Sequence, residues 1–260
     1  MRVVTVGDNC IDDYEDLQTY YPTGNSVDVA IHLKQLGIPV SIVSVTGNDG
    51  YGNEMIELLK NHLIDVTHFH QKPGKTAVTK MGMKGNDRVH LKYFEGVLGE
   101  FTLRREDIEF ISKHEIVHSS VWGKVDSHLQ EFQAAGALVM YDFSTKLEKE
   151  RAETILPMVD YAFFSYQDHD DYIENYMKWA KEQGPQVVVV TLGSKGSLAF
   201  DGETFYKEGV VDVPVVNTVG AGDSFIAGYI RGVIEQKSIS ACLKSGAGVA
   251  AQVVQIFAPY

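Results

Sequence analysis

From residue 100 to the C-terminus, short apolar runs alternate with stretches of helical spacing, and this alternation limits the fold more than any other feature. The run Val187-Val188-Val189-Val190 has no polar face, which marks a central strand buried on both sides. Comparable strands are expected at residues 3–6, 39–46, 115–119, 138–142 and 161–164, with helices near 104–112, 126–134, 148–156 and 168–182. Strands apolar on both faces and joined through helices call for a mostly parallel central sheet with helices on both faces, an α/β fold. One domain over residues 1–260 suits that length. Residues 197–200 and 203–206 flank Asp201-Gly202 and read as a hairpin at the sheet edge. Ligands of such sheets gather at the carboxyl ends of the strands, the rim that receives Asp8, Asp12, Trp122 and Asp142-Phe143-Ser144.

Two segments do not fit the alternation. Residues about 12–22 are acidic and aromatic with an irregular pattern, residues about 75–98 hold two alternating strand-like segments, and Gly85-Asn86-Asp87-Arg88 between these is a hairpin signal. They read as a small sheet outside the core. Such a sheet cannot bury itself, so Tyr93 and Phe94 either close over a ligand or form a homodimer surface. A net charge of -12 speaks against nucleic-acid and membrane surfaces and leaves small molecules as the expected partners. Cys10 and Cys242, with no CxxC, suit a reducing, cytoplasmic setting; the N-terminus enters a strand directly and no apolar run approaches membrane-spanning length. His68-Phe69-His70 is the nearest approach to a metal pair, and with no third ligand nearby in sequence it reads as a solvated strand edge.

The chemistry concentrates in Asn217-Thr218-Val219-Gly220-Ala221-Gly222-Asp223-Ser224-Phe225, between a β-rich run (210–216) and a helical pattern. Glycines on a strand-to-helix turn let backbone N–H groups meet an anion at the positive end of the helix. Asp223 in the first turn is then a candidate general base, and Gly220, Ala221 and Gly222 a candidate cradle for phosphoryl oxygens.

The string resembles the second signature of the PfkB (ribokinase-like) carbohydrate kinases, Asp-Thr-x-Gly-Ala-Gly-Asp-x-Phe, with Asn217 in place of the first Asp. Thr23-Gly24-Asn25-Ser26-Val27-Asp28-Val29-Ala30 opens a helix that Asn25 or Ser26 can cap, and it resembles the first signature, Gly-Gly-x-x-x-Asn-x-Ala, with Thr23 for Gly and Asp28 for Asn. The resemblance covers essentially the whole chain. It implies a ribokinase-like fold with a small β lid, and substrate contacts at Asp12, Gly24, Asn25 and Asp28. A plain helix-dipole carboxylate remains the alternative for Asp28, and a solvated charge the alternative to a substrate contact for Glu95.

Thr191-Leu192-Gly193-Ser194-Lys195-Gly196 resembles the family's nucleotide loop, which implies ATP contacts at Thr191, Gly193 and Gly196. Ala247, on a small-residue helix, either walls the adenine or only packs against its neighbour. Ser165-Tyr166-Gln167-Asp168 occupies the place of the family's Asn-x-x-Glu and implies a Mg2+ role for Asp168; a helix N-cap is the alternative.

Stretches outside the signatures, among them Gly7-Asp8-Asn9-Cys10-Ile11-Asp12 and Val121-Trp122-Gly123, resemble family members that act on Amadori sugars. They imply transfer from ATP to the 6-hydroxyl of a fructosamine. Fructose, ribose or a nucleoside is the alternative acceptor, and a non-catalytic sugar-binding regulator the reading of a different class. An ionised Asp28 only accepts hydrogen bonds, so its ligand must donate, as a protonated secondary amine does.

Overall fold

The computed structural model describes residues 1–84 and 87–260. Gly85 and Asn86 of the expected hairpin turn lie outside the described residues, but the strands that flank them pair antiparallel.

The chain begins with β1 (Val3–Val6), β2 (Cys10–Tyr14), β3 (Thr19–Thr23), α1 (Asn25–Gln35), β4 (Val40–Gly47), α2 (Gly50–Asn61) and β5 (Asp65–Lys72). There follow β6 (Val78–Lys84), β7 (Asp87–Phe94), α3 (Arg105–Ile111), β8 (Ile116–Ser120), α4 (Leu129–Ala134), β9 (Leu138–Asp142), α5 (Lys149–Ile155) and β10 (Tyr161–Ser165). The last elements are α6 (Asp171–Glu182), β11 (Val187–Thr191), β12 (Ser197–Phe200), β13 (Phe205–Glu208), α7 (Ala221–Ile234) and α8 (Ile239–Val253).

A nine-stranded sheet has the order β13-β12-β11-β10-β9-β8-β1-β4-β5. Neighbours from β11 through β5 pair parallel, and β12 and β13 add an antiparallel edge. The valine run shows why both faces must be covered. Val188 and Val190 belong to one core with Phe132, Ile155 and Met177 of α4 to α6, whereas Val187 and Val189 belong to the other with Ile31, Ile226 and Leu243 of α1, α7 and α8. Alternate strand residues thus feed two separate cores.

A second, four-stranded sheet has the order β3-β2-β6-β7 and is built from the two segments that break the main alternation. Its β2 and β6 run parallel, and each pairs antiparallel with an outer strand. Tyr14 is buried, so this sheet is less solvated than its acidic and aromatic composition suggests.

Three local expectations need correction. Residues 210–216 form no strand; they are irregular, with Val210, Val211, Val215 and Val216 exposed, and Pro214 has no N–H to give to a ladder. Neither Asn25 nor Ser26 caps α1 with its side chain. Gly24 is the N-cap, and the Asn25 N–H is accepted 2.9 Å away by Asp8 at the end of β1. Asp168 does not cap α6 either; Asp170 does, accepting from the Ile173 N–H at 2.9 Å.

Candidate active site

Two cavities open along the carboxyl ends of the main strands, and Ser165, Thr218 and Gly222 line both. One, of about 600 Å³, is walled by Thr191, Gly193 and Gly196 after β11, by Ala247 on α8, and by Val210, Val211, Val213 and Val215. The valines that read as a strand are therefore an apolar wall, chemistry suited to the flat face of a base. The other, of about 570 Å³, lies between the strand ends and the small sheet. Asp8, Asp12, Asp28, Asp142 and Asp223 line it together with Gly24, Asn25, Trp122, Lys92 and Tyr93.

Where the cavities meet, α7 begins. Gly220 is its N-cap in the left-handed region (φ 69°), and a Cβ there would stand 2.4 Å from the Pro259 carbonyl oxygen, so the turn needs glycine. Gly222 is exposed, with open space around the place of a Cβ. The first turn of a helix has N–H groups with no helical acceptor, and here they meet the seam between the cavities. The Ala221 N–H is directed at the Thr218 carbonyl, 3.3 Å away, so the three residues of the expected cradle are not equivalent.

Asn25 links the carboxylates. Its Nδ2 donates to Asp223 Oδ1 at 2.7 Å and to Asp142 Oδ2 at 2.9 Å. Its Oδ1 accepts from His118 Nε2 at 2.9 Å, because an amide oxygen cannot donate. The opposite amide orientation would turn an oxygen toward two carboxylates. Burial drives the His118 pKa down to about 3, so this ring is a neutral donor. Burial, and next the charge of Asp223, push Asp142 up to about 7 although the Ser144 N–H donates to it. Asp8 is raised as well, chiefly by burial, which outweighs the donated bonds from the Asn25 N–H and Ser120.

Thr23 and Asp28 prove to be one feature. The Thr23 hydroxyl donates to Asp28 Oδ2 at 2.6 Å, and both residues are buried at the cavity wall. Gly24 is fixed by close approach: at φ 128° a Cβ would lie 2.7 Å from Asn9 Cα.

Two candidate residues fall elsewhere. Glu95 is exposed, pairs with Lys124 and does not line the cavity; the preceding β7 residues His90, Leu91, Lys92 and Tyr93 line it instead. Asp168 is exposed and ion-paired with Lys195, and lines neither cavity. Asp8, Asp142 and His118 take larger parts than their motifs indicate. The first two were legible as strand-end residues at the ligand rim, whereas nothing local marks His118 as the partner of Asn25.

A large, mostly parallel sheet, a small sheet facing its strand ends and a glycine turn with a carboxylate at the junction define a ribokinase-like protein, and the chain belongs to the pfkB family of carbohydrate kinases, whose sequence profile matches residues 9–258. It is 36% identical over 253 residues to fructoselysine 6-kinase of Escherichia coli (strain K12), covering 97% of each chain. It is 30% identical over 267 residues to a fructosamine kinase of Bacillus subtilis (strain 168), covering 100% of this chain and 93% of the relative. In fold it is similar to Arabidopsis thaliana ribokinase complexed with ribose and ATP, with a TM-score of 0.83 at 19% identity over 98% of this chain and 93% of that one. No helix among the described residues is long and apolar enough to cross a membrane.

Proposed function

We propose that this carbohydrate kinase transfers the γ-phosphoryl group of ATP to the 6-hydroxyl of a fructosamine, with fructoselysine the best candidate. The observation that carries the reading is the acidic cavity: five aspartates line one sugar-sized space beside an apolar one. A neutral sugar offers these carboxyl groups hydroxyl donors but no positive charge to offset theirs. The secondary ammonium of an Amadori compound, and the ammonium of its lysine, give them charge-assisted partners. The fructosamine-acting relatives point the same way.

In this reading ATP lies along the valine-lined cavity, with its phosphates at the seam. Asp223 accepts the proton of the 6-hydroxyl, and the first-turn N–H groups near Gly220 and Gly222 stabilise charge developing on the transferred oxygens. Asn25 holds the Asp223 carboxylate, and the small sheet excludes water as a lid. Asp168 lies outside both cavities and is ion-paired with Lys195, so it would have to leave Lys195 to meet the water shell of a hard cation at the phosphates. Mg2+ bound there would neutralise phosphate charge. Of the two aromatics read as a lid or homodimer surface, Tyr93 lines the cavity, which leaves exposed Phe94 for the homodimer.

The test is ATP consumption with fructoselysine, fructose, ribose and adenosine as acceptors. Fructoselysine should give the highest kcat/KM, and equal or greater values for fructose or ribose would overturn the assignment. Silence with every acceptor would favour a binding protein. Asp223→Asn should lower kcat by about 10²–10⁴-fold while the sugar still binds; near wild-type turnover would remove Asp223 from the mechanism.

A further inference from the structure

We propose that His68, His70 and Asp107 form a Zn2+-type metal site that ties the edge strand of the main sheet to helix α3. His68 and His70 lie two residues apart on β5, so their rings leave the same face of the strand. Asp107 comes from α3 and its side chain is fully buried. His68 Nδ1 and His70 Nε2 stand 2.7 and 2.8 Å from the same oxygen, Asp107 Oδ1. One potential ligand atom from each residue falls within 4.8 Å of the others.

The set has the supports a metal site needs. Asp107 Oδ2 accepts the Arg104 N–H at 3.0 Å, which fixes the carboxylate from its far side. The His68 ring stacks on Phe110 at 4.0 Å between centroids and 20° between planes, which fixes the imidazole. The two His side chains are 20% and 18% exposed, enough for an ion to enter and for water to take a fourth position. None of the three residues lines either cavity, so the phosphoryl-transfer chemistry does not account for them.

The donor chemistry selects the ion. Two imidazole nitrogens and one carboxylate suit Zn2+ and its first-row neighbours, whereas Mg2+ and Ca2+ prefer all-oxygen shells. In the metal-free state both ring nitrogens donate to Oδ1. On binding, each neutral imidazole would move its proton to the other ring nitrogen and present a lone pair, so the ligands need no net oxidation or reduction. Tetrahedral Zn2+ separates adjacent N and O ligands by about 3.3 Å, so the rings would withdraw roughly half an ångström from the carboxylate.

Zn2+ should be titrated into the full chain in the presence of excess Mg2+ and ATP, so that the nucleotide site is occupied. The heat of binding, the melting temperature and the visible spectrum of a Co2+-substituted sample are then recorded. The expected result is one ion per chain, a higher melting temperature and the intense absorption of tetrahedral Co2+. His68→Gln and His70→Gln should each weaken binding by at least about 100-fold, the upper end of the loss caused by removing even an outer-shell partner. Their kcat should stay within about twofold of wild type, because neither residue belongs to the kinase site. No Zn2+ binding would leave a hydrogen-bonded cluster and overturn the proposal. So would undiminished affinity in both histidine variants, which would place the ion elsewhere.

Discussion

Asp142 and the Thr23–Asp28 pair show how single side chains depart from what their motifs indicate. Asp142 is held near neutrality because its charge would be buried beside that of Asp223. An acid raised in the folded state, here from 3.8 to about 7, stabilises the fold fully below its unfolded pKa, and that contribution is lost as pH rises through its folded pKa. Relative to wild type, Asp142→Asn should therefore gain melting temperature progressively between about pH 4 and pH 7, with a constant difference above that. A difference independent of pH, measured by calorimetry across this window, would contradict the raised carboxyl. Asp142 was legible only as a strand-end residue, because its partner Asn25 is 117 positions away and desolvation has no local signature.

Thr23 and Asp28 each look like a lost signature residue, but their 2.6 Å hydrogen bond makes them a matched pair. Thr23→Gly removes this donor, and Asp28→Asn removes the carboxylate while supplying a donor of its own. A double-mutant cycle on fructoselysine kcat/KM should show a coupling of about 0.5–3 kcal/mol, with the double variant impaired less than the product of the single effects. Strict additivity would mean that the two departures act independently. Asp28→Asn should also lower the preference for fructoselysine over fructose, and an unchanged ratio would remove Asp28 from amine recognition.

Among the elements, those whose periodicity comes from burial were the most legible. The strands Val3–Val6 and Leu138–Asp142 fall on the expected residues, and the other expected parallel strands shift by one residue at one or both ends. Residues 210–216 failed because β-branched apolar residues suit a ligand wall as well as a strand, and only Pro214 hinted at the difference. The neighbour that His68 and His70 share was not legible locally: Asp107 is 39 and 37 positions along the chain, on a different element. The small-residue helix was read with two alternatives, and both have support. Ala247 lines the nucleotide-side cavity, and Gly246 packs on α7, where a Cβ would stand 2.8 Å from the Phe225 ring. Gly246→Val should overpack this contact and cost about 1–3 kcal/mol in urea unfolding. An unchanged denaturation midpoint would show that α7 and α8 are less closely held.

Across the whole molecule the charge has a direction. A net charge of -12 is unremarkable by itself, yet five aspartates converge on one cavity that the small sheet covers. The family match identifies a carbohydrate kinase, and the acidic cavity is the feature on which the proposed fructosamine substrate rests. The most direct measurement is phosphorus and proton NMR of the product formed from ATP and fructoselysine. The account predicts ADP and a phosphate ester on the 6-hydroxyl, formed by wild type and nearly absent with Asp223→Asn. An ester at another position, or ATP cleaved to inorganic phosphate with the sugar unchanged, would contradict it.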